Sequence, residues 1–131
     1  MNARIGLLFP LLFLALSASA QLPTQKSSAN GVTVAVTPGA LRTEAGSWDF
    51  TVVLDTHSQE LSDDLTKSAV LVDDKGRQFA PIGWDGAAPG GHHRKGLLKF
   101  KPIAPLPSAL ELRINRHGEG TPRLFRWTLG Q

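Results

Sequence analysis

Cysteine and tyrosine are both absent from this sequence of 131 residues, and its aromatic side chains are limited to three tryptophans and six phenylalanines. Without cysteine, the chain has no disulfide bond, no thiolate ligand for a metal ion and no cysteine nucleophile. So few aromatic residues give no support to a surface on which nucleic-acid bases stack. Stability must therefore come from an apolar core and from backbone hydrogen bonds.

Long apolar runs are also missing, with one exception at the start of the chain. Arg4 precedes the apolar stretch 5–16, and residues 18–20 (ASA) form the small-x-small pattern that signal peptidase accepts. This stretch is too short to span a membrane, which takes about 20 apolar residues. No cysteine follows it, which excludes a lipoprotein anchor. We therefore expect residues 1–20 to be a cleaved signal peptide. Residues 21–131 are then exported to the periplasm or the medium, without a membrane span.

Charge is nearly balanced overall, with a formal net charge of +3, but it is unevenly placed. Residues 44–85 carry six more acidic than basic side chains, and residues 94–126 carry six more basic than acidic ones. Opposite charges meet across strands when the two halves of a small β-domain interleave, so this asymmetry does not require a nucleic-acid surface. We expect no nucleic-acid partner.

Apolar residues recur at every second position through much of the chain after residue 31, which predicts half-buried strands. Residues 21–31 are polar and are expected to form a flexible leader. The alternation predicts seven strands, at 32–37, 48–55, 69–72, 77–82, 96–101, 109–115 and 123–129. Pro81 places the end of the fourth strand at a sheet edge, because proline has no N–H to donate. Only residues 62–67 look briefly helical, with Ser62 as the cap.

Seven short strands separated by turns are typical of an immunoglobulin-like (Ig-like) or fibronectin-type β-sandwich. The stretch from Val32 to Leu129 resembles the Ig-like accessory domains of bacterial exported proteins, although the usual immunoglobulin cysteines are absent. The resemblance implies an all-β, seven-stranded antiparallel sandwich over residues 32–131. It also implies that Trp48 or Trp84 is the central packing tryptophan. Functions vary widely on this fold, so the resemblance does not identify one.

All four histidines are predicted at one end of this sandwich. Consecutive antiparallel strands place successive loops at alternate ends, so the loops after the second, fourth and sixth strands lie together. These loops, residues 56–68, 84–95 and 116–122, contain His57, His92, His93 and His117. Imidazole and carboxylate groups suit zinc or copper, so the four histidines are candidate metal ligands. Against this prediction, adjacent residues such as His92 and His93 point to opposite sides of an extended chain. Each histidine also has an ordinary explanation in a turn.

The glycine-rich segment 84–95 is a second candidate feature. A Pro-Gly-Gly turn precedes His92, His93 and Arg94, which together with Asp85 form a candidate binding loop for an anion, a carboxylate or a partner protein. In the alternative interpretation, the glycines serve a crossing between sheets, and Arg94 pairs with Asp85 or Asp55. No helix and no Lys-Ser/Thr pair follows the glycines, which excludes a phosphate-binding loop.

No residue pattern typical of an enzyme is found. Asp55, His57 and Ser58 have the atoms for nucleophilic catalysis but are neighbours along the chain, and no G-x-S-x-G motif is present. We therefore expect no catalytic residues and no cofactor. The leading hypothesis is an exported, non-catalytic Ig-like module that binds a protein or another cell-envelope component through its histidine-containing end. The alternative is a small periplasmic protein that binds zinc or copper there.

Overall fold

The computed structural model describes residues 21–130 and, of the first twenty residues, only Gly6, Leu8 and Pro10. Apart from these three, the predicted signal peptide lies outside the described residues. Within the described part, no helix is long and apolar enough to cross a membrane. The fold is all-β with two antiparallel sheets, as the period-two pattern predicts.

Nine strands, numbered in chain order, form these sheets. The first sheet consists, in spatial order, of β1 (Gln25–Ala29), β2 (Val32–Pro38), β3 (Trp48–Thr56), β7 (His93–Phe100) and β6 (Gly83–Gly86). The second consists, in spatial order, of β5 (Gln78–Phe79), β4 (Ala69–Asp73), β8 (Ala109–Ile114) and β9 (Arg123–Thr128). One short helix, α1 (Leu65–Ser68), leads into β4.

The predicted strand count of seven is wrong, because the described chain has nine strands. One addition is β1, which lies in the segment expected to be a flexible leader and pairs with β2 along its whole length. The other comes from the predicted strand 77–82, which is replaced by β5 and β6 in different sheets. Pro81 lies between these two strands, and its missing N–H interrupts the ladder where the chain changes sheets.

The short helix begins later than its sequence predicts. Asp64, rather than Ser62, is its N-cap, because the Asp64 carboxylate accepts hydrogen bonds from the Thr66 N–H at 3.1 Å and from the Thr66 hydroxyl at 2.6 Å. The side chain of Leu65, in the first turn, is buried in the core. The helix thereby ties the connection between β3 and β4 to the core.

The two sheets pack face to face around one apolar core. In β3, the side chains at every second position from Trp48 to Leu54 are buried. The Phe50 ring lies 5.6 Å from the ring of Phe100, edge to face, and 5.7 Å from that of Trp127 in the opposite sheet. Burying a side chain of this size contributes about 1.5–3 kcal/mol, so the packing of these rings, within the first sheet and across to the second, stabilises the fold.

The two tryptophans considered for the central packing position have different surroundings. Trp48 is fully buried in the core, whereas Trp84 is half-buried in β6. The Trp84 indole lies over Gly96 of β7, where a Cβ atom would stand only 2.6 Å from the ring. This glycine lets the indole lie against the strand and reach Arg94, whose guanidinium carbon is 5.6 Å from the ring centroid. The contact positions Arg94 at the end of the core.

Candidate functional site

Three connections between strands lie together at one end of the molecule. They are residues 57–68 between β3 and β4, residues 87–92 between β6 and β7, and residues 115–122 between β8 and β9; we call this end the histidine pole. The first two are joined by hydrogen bonds from the Leu61 N–H to the Gly91 carbonyl at 2.9 Å and from the Gly90 N–H to the Leu61 carbonyl at 2.8 Å. The Asn115 N–H donates to the Ser68 carbonyl at 2.7 Å and so joins the third connection to the first.

Beneath these connections lies a layer of three buried arginines, which we call the arginine layer. Arg94, Arg116 and Arg123 are 1%, 6% and 5% exposed. Each occupies a position whose side chain points into the sandwich. Arg94 and Arg123 alternate with exposed residues in β7 and β9, and Arg116 lies two residues after Ile114, the buried last residue of β8. A buried guanidinium needs acceptors for its N–H donors inside the protein, and each arginine finds them in the groups around it, except that Nε of Arg94 has none among the described residues.

Arg94 is bound to backbone carbonyls of two connections. Its guanidinium donates to the carbonyls of Asp63 at 2.7 Å and Leu61 at 3.3 Å. On the other side it donates to the carbonyl of Ala87 at 3.2 Å. The same carbonyl accepts the indole N–H of Trp84 at 2.9 Å. Arg94 therefore holds the connections 57–68 and 87–92 against each other.

The position of Arg94 differs from both interpretations of the segment 84–95. The guanidinium is buried, so a partner at the surface does not reach it, and it pairs with neither Asp55 nor Asp85. Burial lowers the pKa of Arg94, as expected for a cation removed from water with carbonyls rather than a carboxylate in contact. Its role in the described structure is to position loops.

Replacing Arg94 with methionine is expected to lower the free energy of unfolding by about 1–2 kcal/mol. The Asp63 carbonyl loses its donor, whereas the carbonyls of Leu61 and Ala87 each keep a second donor, and the removal of a buried cation offsets part of the loss. Lys95→Met, at the exposed neighbouring position, is the control and is expected to change the free energy of unfolding by less than about 0.5 kcal/mol. Urea unfolding measures both values. Amide hydrogen exchange is expected to increase at residues 57–68 and 87–92 in Arg94→Met alone, and equal exchange in the two variants would contradict this role.

The other two arginines share carboxylates in a buried ion network. Arg116 donates from Nε to Oδ2 of Asp63 at 2.8 Å and from Nη1 to Oε2 of Glu119 at 3.1 Å. Arg123 donates to both oxygens of the same Glu119, at 2.9 Å and 2.8 Å. The four side chains are at most 7% exposed. Glu119 thus joins two guanidinium groups that come from different strand ends.

Arg123 also closes the seam between the two sheets. It belongs to β9 of the second sheet, and it donates to the carbonyls of Ser27 at 2.9 Å, Ala29 at 2.8 Å and Val32 at 3.0 Å in the first. These carbonyls lie in β1 and at the start of β2. The arginine layer therefore reaches from the connection 57–68 to the hairpin of β1 and β2.

The ion network determines the charge states of its members. Hydrogen bonds from Arg123 lower the pKa of Glu119 from 4.5 to about 2, although burial alone would raise it. Burial alone would lower the pKa of Arg116, but the carboxylates of Asp63 and Glu119 outweigh burial and raise it. Glu119 and Arg116 are therefore ionised at neutral pH.

The four histidines are exposed, in contrast to the arginines beside them. His93 in β7 lies opposite Asp55 in β3, and its Nδ1 is hydrogen-bonded to the Asp55 carboxylate. His92 directly precedes His93 in the chain and His57 follows Asp55 by two residues, so His57 and His92 lie in the histidine pole beside this pair, which is at the adjoining ends of β3 and β7. His117 is carried by the separate connection 115–122.

The structure brings together only some of the predicted site residues. Within residues 21–130, no group of three or more histidine, aspartate or glutamate side chains is arranged so that it could hold a metal ion. Asp85 is exposed on β6, opposite Leu97, at the edge of the first sheet. Of the predicted residues, His93 has a carboxylate partner, and Arg94 is committed to backbone carbonyls.

Sequence reasoning missed Asp63, Arg116, Glu119 and Arg123 as members of one network. The alternation of buried and exposed positions along a strand was the available signal that these arginines point inward. Arg123 alternates with the buried Phe125 and Trp127, so the period of β9 places its side chain inside the sandwich. This alternation gives the direction of a side chain but not its partner. The partner of Arg116, Asp63, lies 53 residues away in the chain, so no local pattern identifies it.

Comparisons of this chain with protein-family models, with curated proteins and with solved structures give no match. Function therefore has to be inferred from the geometry of the molecule.

Proposed function

We propose that this protein is an exported, non-catalytic module with an Ig-like fold, and that it binds a partner protein of the cell envelope through the histidine pole. One observation supports this most: the arginine layer holds three surface connections in place while the histidines on them are exposed. Loops that are already ordered lose little conformational entropy when a partner binds. A rigid scaffold carrying such loops suits recognition.

The chemistry of the histidine pole favours a polar partner surface. Its exposed side chains include hydrogen-bonding and charged groups from all three connections: His57, Glu60, Asp64, Lys67, His92 and His117. The large exposed apolar residues of residues 21–130 lie in other segments: Ile82, Leu106 and Leu124. We therefore expect an interface dominated by hydrogen bonds, with bridging water, rather than by a buried apolar patch.

Photo-crosslinking in living cells tests this contact surface. A photoreactive amino acid replaces His92 in one variant and Lys75, in the turn between β4 and β5, in the control. The His92 variant is expected to give one or a few discrete adducts, identified by mass spectrometry, that the Lys75 variant lacks. The same adducts from both positions, or no adduct from the His92 variant, would show that the histidine pole is not the contact surface.

Export is tested independently of binding. Cells that express the full-length chain are fractionated, and the intact mass of the protein is measured in each fraction. The proposal expects the mass of residues 21–131 in the periplasm or the medium. A protein that stays in the cytoplasm and still begins at Met1 would overturn this part of the proposal.

A second candidate function, zinc or copper binding, is favoured by the pair of His93 and Asp55. A carboxylate on Nδ1 leaves Nε2 free for a metal ion, and metal-binding histidines commonly have this arrangement. Binding to the folded state alone raises the melting temperature, so thermal melting with added zinc or copper measures it. The rise should disappear in His93→Ala and persist in His117→Ala. An unchanged melting temperature at saturating metal would eliminate this candidate.

A further inference from the structure

A groove at the opposite end of the molecule from the histidine pole has mostly apolar walls. Its volume is about 710 Å³, within the range of small-molecule binding sites. Its walls carry four leucines from separate segments of the chain: Leu22, Leu41, Leu106 and Leu129. Leu106 is 47% exposed, and Leu22 and Leu41 are only partly buried against the core. Apolar surface is therefore open to solvent along this groove.

Hydrogen bonds from two buried tryptophans hold the groove in shape. The indole N–H of Trp127 donates to the carbonyl of Pro23 at 2.8 Å, and that of Trp48 donates to the carbonyl of Arg42 at 2.8 Å. Pro23 and Arg42 each directly follow one of the groove leucines, so two of the walls are tied to the core. A preformed site of this kind loses little conformational entropy on binding.

The described residues that line the groove carry a positive charge. Arg42 lines the groove and is exposed, and no aspartate or glutamate is among its described lining residues. Within residues 21–130, the side chain of Arg42 has no carboxylate at ion-pair distance. The nearby Glu44 instead accepts a hydrogen bond from the Thr43 hydroxyl at 3.1 Å. An apolar groove with a guanidinium that has no carboxylate partner among residues 21–130 complements a ligand that has an apolar body and an anionic group.

We propose that this groove binds a single-chain amphiphile with a carboxylate head group, of the fatty-acid class. The alkyl chain lies on the four leucines, and the carboxylate is bound by Arg42. The volume of the groove suits one chain of small-molecule size, so the proposed ligand is the free, single-chain molecule and not a bilayer surface. The site is separate from the histidine pole and does not depend on the function proposed for it.

Calorimetric titration with alkanoates of increasing length tests the apolar part of the site. The protein is residues 21–131, which contain all nine strands, and the probes are octanoate, decanoate and dodecanoate below their micellar concentrations. Saturable binding of one molecule per chain is expected, with an affinity that rises about tenfold for each two added methylenes. An affinity that does not change with chain length would overturn the proposal.

Two variants and a probe of opposite charge test the head-group contact. Arg42→Gln is expected to weaken dodecanoate binding about tenfold, and dodecyltrimethylammonium is expected to bind the wild type at least about tenfold more weakly than dodecanoate does. Leu106→Ser, at an exposed position, should weaken dodecanoate about threefold to tenfold. The control is Lys101→Gln, an exposed cation outside the groove lining, which should bind dodecanoate as the wild type does.

Three results would overturn the proposal. The first is equal binding of the anionic and cationic probes. The second is unchanged dodecanoate binding in Arg42→Gln, with a circular dichroism spectrum that shows the variant to be folded. The third is binding to vesicles of anionic diacyl lipid without binding of free dodecanoate, which would indicate a membrane surface instead. Amide chemical shifts that move with dodecanoate at residues 39–42 and 128–130 would locate the ligand in the groove.

Discussion

Replacing Arg123 with methionine is expected to lower the free energy of unfolding by about 3–5 kcal/mol. Glu119 then stays buried with one guanidinium partner in place of two, and three backbone carbonyls of the first sheet lose their donor. The buried network is then left with one guanidinium, that of Arg116, for the two carboxylates of Asp63 and Glu119, and a buried charge that is not compensated costs this much. A domain of this size has a total stability of about 5–15 kcal/mol, so one substitution removes a large part of it.

The matched control for this substitution is Arg126→Met, three residues further along the same strand. Arg126 pairs with Glu111 at the surface and its side chain is 69% exposed, so its loss is expected to cost less than about 1 kcal/mol. Urea unfolding followed by tryptophan fluorescence gives both values. Losses of similar size in the two variants would show that burial of the Arg123 network is not the cause.

A double variant separates the charge effect from the loss of packing. In Arg123→Met with Glu119→Gln, the carboxylate that Arg123 leaves uncompensated is also removed. The double variant is therefore expected to lose less stability than the sum of the two single variants, because the two side chains are in direct contact. Additive losses would mean that the two side chains do not interact in solution.

The sheets were largely predictable from the sequence because most strands bury one face. Strands β2, β3 and β4 were each predicted to within one residue, because every second residue of β2 and β3 is apolar and β4 is a short apolar run. Strand β1 was not predicted, because its residues QKSSA carry no apolar alternation. It is a strand only because it pairs with β2 and because Arg123 binds its carbonyls. Pairing of this kind involves residues far apart in the chain, which a local pattern does not contain.

The candidate site was predictable in position but not in chemistry. Because successive loops of antiparallel strands lie at alternate ends, the sequence predicted which three connections lie together. The histidines on these connections are exposed in the structure. Asp63 and Asp64 both lie in the stretch 62–67 that the sequence predicts to be briefly helical. Asp64 is exposed and caps α1, but Asp63 is buried against Arg116. Adjacent residues of the same type thus have opposite roles, and only the distant partner distinguishes them.

The arginine layer also explains how the two ends of the molecule differ. An end closed by apolar side chains is often as stable as one closed by ion pairs, so the ions are not needed for stability as such. The buried arginines instead give each connection hydrogen bonds of fixed direction. Arg94 binds two connections, Arg116 binds Asp63, and Arg123 binds the first sheet. The opposite end has tryptophan hydrogen bonds and a leucine-lined groove instead. We infer that fixed loop geometry, rather than apolar contact, is what the histidine pole supplies.

The stability of the protein is expected to fall in acid in a way that depends on Glu119. Its pKa is about 2 in the folded protein and 4.5 for the ordinary carboxyl group, so its folded-state pKa is depressed. A group of this kind contributes its full stabilisation above the unfolded pKa and loses it as the pH falls toward the folded pKa. The contribution is about 3 kcal/mol at neutral pH, and more than half of it is lost by about pH 3.

The variant Glu119→Gln isolates this contribution. Other carboxylates with lowered pKa values, including Asp73 and Glu111, titrate in both proteins and therefore cancel in the difference between them. The gap in unfolding free energy between wild type and variant is expected to be about 3 kcal/mol near pH 6.5 and to shrink by more than half by about pH 3. Glu60→Gln, at an exposed position of the histidine pole, is the control and should change the free energy of unfolding by less than about 0.5 kcal/mol at pH 6.5. A gap for Glu119→Gln that is equally large at both pH values would mean that Glu119 is not held ionised by its two arginines.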